Sequence, residues 1–63
     1  MTFKELLKSQ RVTQKQLADL LGLSQPCVSK WIRNESIPTR ENIDNIAKAL
    51  KVNKMLVIQA FYN

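Results

Sequence analysis

The chain has no histidine, one cysteine, one glycine and two prolines among its 63 residues, and only five acids. Each shortage excludes something. The single thiol, Cys27, closes no internal disulfide, and no paired cysteine or histidine stands at a metal-ligand spacing. One glycine leaves no glycine-rich loop to cradle a phosphate, and the acids are scattered, so neither nucleotide chemistry nor acid–base catalysis is indicated. No enzyme, cofactor or small-molecule ligand is expected. No apolar run approaches the ~20 residues that cross a bilayer, and no signal peptide opens the chain, so a cytoplasmic setting is the expectation.

What is present is basic. Ten lysines and arginines give a net charge of +5 and a pI near 9.8, which favours an anionic partner. A chain this size makes one domain, residues 1–63, and buries only about 60% of its unfolded surface, so a partner subunit would help it.

The apolar pattern is helical throughout, with no β-alternation, repeat or linker. Thr2 and Glu5 form a capping box that opens a first helix with Phe3, Leu6, Leu7 and Gln10 inward and Lys4, Lys8 and Arg11 outward. Thr13 and Gln16 repeat the box for a second helix, whose stripe is Leu17, Ala18 and Leu21. Gly22 ends it in the left-handed conformation, and Ser24 or Gln25 opens a third helix with Val28, Trp31 and Ile32 inward. Pro26 lacks only an amide that the first turn leaves unpaired anyway, so this helix tolerates it. Thr39 caps a fourth helix with Ile43, Ile46, Ala47 and Leu50 on one face, and Asn53 caps a fifth from Lys54 to Phe61. An apolar residue before each of the last four caps (Val12, Leu23, Pro38, Val52) sits where it can staple onto the fourth helical position (Leu17, Val28, Ile43, Val57). The expected fold is all-α, a compact five-helix domain with a helix-turn-helix formed by helices two and three.

The run from Thr13 to Trp31, TQKQLADLLGLSQPCVSKW, resembles the DNA-binding domain of the lambda-repressor/Cro (XRE-type) helix-turn-helix family. Leu17, Ala18, Leu21, Gly22, Leu23, Val28 and Trp31 stand at the motif's apolar, small and glycine positions, and the likeness extends from Phe3 to about Ile58. One departure is clear. Where many members carry an arginine on helix one facing a glutamate after the recognition helix, this chain has Leu7 and Ile32, and an apolar contact is expected in place of the ion pair.

The resemblance implies that helix three enters the major groove of double-stranded DNA. Its outward face carries Pro26, Lys30 and Arg33, with Ser29 and Asn34 beside them, and no acid. Gln25, Pro26, Ser29 and Lys30 are the candidates for base contact, since glutamine can pair with adenine, lysine with guanine, and proline can touch a thymine methyl. Gln14, Lys15, Arg33, Asn34 and Arg40 are the candidates for phosphate contact, Gln14 at the start of helix two. Trp31 is assigned to the core, Cys27 to a partly buried flank, and Lys48, Lys51 and Lys54 to solvent.

Helix five is more apolar than one buried face requires. Leu56 is expected to close the core, and Met55, Ile58, Phe61 and Tyr62 to form a homodimer interface, either in the free protein or only on DNA, that sets two recognition helices about 34 Å apart on a palindromic site. The competing expectation is that the aromatic end folds back on helix one. Three functions follow from the resemblance: a Cro-like repressor, an antitoxin or DNA-binding half of a larger regulator with a protein partner on helix five, or a protein-interaction domain without DNA binding. A chain opening at Met1 and closing after helix five is expected of the first. No membrane role is expected, because the basic and apolar surpluses lie on different helices.

Overall fold

A computed structural model describes residues 2–62, which form five helices and no strand: α1 (Phe3–Ser9), α2 (Gln14–Leu21), α3 (Gln25–Ile32), α4 (Arg40–Leu50) and α5 (Lys54–Phe61). Their starts follow local chemistry. Thr2 Oγ1 accepts from the Glu5 amide at 3.1 Å while Glu5 Oε1 accepts from the Thr2 amide at 2.8 Å, and Thr13 and Gln16 repeat the exchange at 3.0 and 2.9 Å. Thr39 accepts from the Asn42 amide and Asn53 from the Met55 amide, so two more starts are held by side-chain oxygens. Ser24 differs. Its backbone is extended at the N-cap position of α3 but its hydroxyl makes no capping bond, and the helix begins at Gln25 with Pro26 second.

The helix ends share a device that composition hides. Arg11, Gly22, Asn34 and Lys51 are all left-handed, with φ of 57°, 69°, 60° and 57°, although only one is glycine. In each case the next residue's amide reaches back five positions, Val12 to the Leu7 carbonyl, Leu23 to Ala18, Glu35 to Lys30 and Val52 to Ala47, while the left-handed residue's own amide bonds three positions back. These are Schellman closures. In Arg11-Val12-Thr13, Gly22-Leu23-Ser24 and Lys51-Val52-Asn53 the reversing residue is followed by an apolar residue and then by the next N-cap. One apolar side chain thus closes one helix and staples the next, and three connections need only a few residues each.

The core draws on every helix. Phe3, Leu6 and Leu7 of α1, Leu17 and Ala18 of α2, Val28 and Trp31 of α3, Ile43, Ile46, Ala47 and Leu50 of α4, and Val57 of α5 are buried. Phe3 sits between two aromatic rings, meeting Trp31 edge-on with centroids 6.4 Å apart and Phe61 at 4.7 Å. This ties α1 to α3 on one side and to α5 on the other. Four expectations change, the first being that Ile32, read as inward with Val28 and Trp31, is only half-buried. Val57, not Leu56, is the fully buried residue of α5, because the helix start at Lys54 makes Val57 the fourth position, next to the staple residue Val52; Leu56 is half-buried at the core margin. Gln10 is exposed, because α1 ends at Ser9 and Gln10 begins the reversal. Leu21 is only partly buried, as Gly22 turns the chain immediately after it. Trp31 is in the core and Cys27 is half-buried beside it, as expected.

Candidate nucleic-acid interface

Val28 and Trp31 anchor α3 inward, which turns Gln25, Pro26, Lys30 and Arg33 to solvent and leaves Ser29 half-buried between them. Eight residues make a helix about 12 Å long, comparable to the major-groove width of about 12 Å. Gln14, at the first turn of α2, faces the same side. Gln14, Gln25, Pro26, Ser29 and Arg33 together line one open hollow, so the turn at Gly22 brings residues from two helices into a single face.

Not every candidate joins that hollow. Lys30 is exposed on the same helix, and Lys15 is exposed on the first turn of α2. Asn34 is exposed and serves as the left-handed residue that closes α3. Arg40 opens α4 and borders a different groove, with Pro38, Ile43, Lys54, Ile58 and Tyr62. Met55 on α5 and Tyr62 just after it are 57% and 62% exposed, Ile58 and Phe61 are half-buried, and the Phe61 ring is packed on Phe3.

Two lysines read only as outward on helix one lie at this face. Lys4 and Lys8 border a groove shared with Gln14, Ser29 and Arg33, its floor made by Leu7, Val12 and Ile32. Their spacing of four was visible as one outer stripe of α1, but the crossing of α1 over α3 that aims the stripe depends on the Phe3–Trp31 contact. Leu7 is buried and Ile32 half-buried, and both line this groove, so apolar side chains stand at the two positions where other members carry charges.

The face also carries an acid. Glu35 lies beyond α3, but the reversal at Asn34 returns it, and Arg33 Nε donates to Glu35 Oε2 at 2.6 Å. Arg33 Nη1 also donates to Ser29 Oγ at 3.4 Å, a long and weak bond. Sequence periodicity missed Glu35 because it counts residues inside the helix only. Among the described residues, no helix is long and apolar enough to cross a membrane.

Two short helices joined through a left-handed glycine, the second offering amide, hydroxyl and basic side chains from one exposed face, define a helix-turn-helix domain. The chain belongs to the Helix-turn-helix family, whose model matches residues 3–54. It is similar to the cryptic phage CTXphi transcriptional repressor RstR of Vibrio cholerae serotype O1, with 40% identity over 57 residues that cover 84% of this chain and 51% of the relative. The chain therefore spans about half the length of that curated relative. No solved structure matches it significantly. The family is that of helix-turn-helix domains, and the relative is a transcriptional repressor.

Proposed function

We propose that the chain is a Cro-like repressor that inserts α3 into the major groove of a palindromic operator and acts by covering it. The observation that carries this reading is the single hollow lined by Gln14, Gln25, Pro26, Ser29 and Arg33, in which base-reading and phosphate-binding chemistry stand side by side. Gln25, Pro26, Ser29 and Lys30 read base edges. Gln14, Lys15, Arg33, Asn34 and Arg40 hold the backbone, and Lys4 and Lys8 extend that track along α1.

Two copies bind together through α5. Met55 and Tyr62, with Ile58 between them, supply the contact, and Phe61 contributes only the part of its ring that Phe3 leaves uncovered. The working location is the bacterial cytoplasm, where the operator is. The resemblance to a phage repressor supports repression over activation.

Selection of bound duplexes from a random pool, with salt dependence measured on the winner, tests this reading. A two-fold symmetric site with half-sites about one helical turn apart is expected. A single half-site would retain the DNA reader and remove the dimer. No enriched site would remove sequence-specific binding and turn attention to a protein partner on α5.

A further inference from the structure

In the free domain Arg33 is already engaged. Its Nε donates to Glu35 Oε2 at 2.6 Å and its Nη1 to Ser29 Oγ at 3.4 Å, so the guanidinium lies back along α3 and walls the hollow shared by Gln14, Gln25 and Pro26. The Glu35 backbone is fixed by the Schellman closure, its amide donating to the Lys30 carbonyl at 2.9 Å, and this gives the carboxylate a defined reach to Arg33.

A carboxylate and a phosphate compete for the same guanidinium donors, since both accept the planar N–H fork. A DNA backbone drawn in by Lys4, Lys8 and Lys15 would meet a negative charge at Arg33, the residue that caps the end of α3. The pair is open to exchange, because its side chains are 56% and 53% exposed and water screens them. Transfer of the guanidinium to a phosphate also frees the Ser29 hydroxyl.

We infer that Glu35 is an internal stand-in for a DNA phosphate: it occupies Arg33 in the free domain and lowers affinity for every duplex until the backbone displaces it. This rests on the proposed DNA binding. Glu35 acts through Arg33 and is a positioning residue, so its effect depends on Arg33 being there. An arginine neutralised in advance releases fewer counterions on binding, which flattens the salt dependence. Sequence preference is untouched, because in the bound state the guanidinium is on a phosphate and the Ser29 hydroxyl is free whether or not residue 35 carries a charge.

The test compares native chain, Glu35→Gln, Arg33→Ala and the double variant on a selected duplex and on unrelated duplexes over a range of salt. Glu35→Gln keeps the side chain's shape and removes its charge. It should tighten binding to all duplexes by about three- to ten-fold at about 50 mM salt and steepen the logarithmic salt slope by up to about 0.9. In the Arg33→Ala background the same change should have little effect. An equal gain with and without Arg33 would overturn the inference, since Glu35 would then act as a distant charge. Weaker binding by Glu35→Gln would also overturn it, because the carboxylate would then be aiming Arg33 at DNA. Unchanged binding by Glu35→Gln overturns this inference alone, whereas a native chain that binds no duplex at low salt overturns the proposed function as well. Both side chains are exposed, so thermal unfolding should be nearly equal in all four proteins and confirm that each is folded.

Discussion

The ring of Phe61, at the end of α5, lies 4.7 Å from the ring of Phe3, at the start of α1, tilted by 35°. Phe3 also meets Trp31, edge-on, so one side chain joins the first helix, the last helix and the candidate recognition helix. Part of the apolar surplus on α5 is thereby used within the chain. What stays exposed is Met55 at its beginning and Tyr62 at its end.

That division predicts two different mutant behaviours. Phe61→Ala should destabilise the domain by about 2 kcal/mol, lowering the melting temperature by roughly 8–16 °C in a domain this small. Tyr62→Ala should change stability by less than about 1 kcal/mol but weaken self-association. Urea unfolding at one fixed concentration measures the first and sedimentation of the native and variant chains the second. An unchanged unfolding midpoint for Phe61→Ala would remove the clamp.

The left-handed helix ends make a second prediction. Lys51 holds φ of 57° with a side chain that disfavours it, so Lys51→Gly should stabilise by about 1 kcal/mol through relief of that conformation. Gly22→Ala should destabilise by about the same amount, although no heavy atom lies within 4 Å of where its Cβ would stand. The strain is in the backbone torsion and not in a clash. Denaturant midpoints that move in opposite directions with unchanged slopes are the expected outcome.

Acid should loosen the start of α1. The Thr2 amide, and then the Thr2 side chain, hold the Glu5 carboxyl below the usual carboxylate range. The unfolded chain therefore binds the proton first as pH falls. The contribution of Glu5 is fully present above its unfolded pKa and is lost as pH falls through the lower folded value. Glu5→Gln can keep the reciprocal capping bond and does not titrate, so its stability should fall less steeply in that window. Identical pH profiles for the two chains would contradict this linkage.

Base reading and backbone holding separate by mutation. Lys30→Ala should alter which duplexes are preferred, with a cost of about 1–3 kcal/mol at one base pair, while Arg33→Ala should weaken all duplexes alike and flatten the salt slope by up to about 1. Lys4→Ala and Lys8→Ala should resemble Arg33→Ala. Competition binding across single-base variants of the selected site distinguishes the two patterns. Uniform loss from Lys30→Ala would move that residue to the backbone set.

Local chemistry was enough to locate the helices and the turn. Capping boxes at Thr2–Glu5 and Thr13–Gln16 act over three residues, the staples span five, and the stripe from Ile43 to Leu50 repeats with the helical turn, so none of them needs a distant partner. The outward face of α3 was readable for the same reason, since Val28 and Trp31 fix the helix's rotation. Packing alone settled the rest. α5 is apolar on nearly all sides, so its periodicity could not choose between Val57 and Leu56; the local staple spacing from Val52 already favoured Val57, and burial in the core decided it. Arg11, Asn34 and Lys51 adopt left-handed conformations without glycine because the closures they make seat Val12, Glu35 and Val52. Lys4 and Lys8 reach the face of α3, and Glu35 reaches Arg33, only after the Phe3–Trp31 contact and the reversal at Asn34 have brought separate elements together, and no one-helix projection contains that geometry.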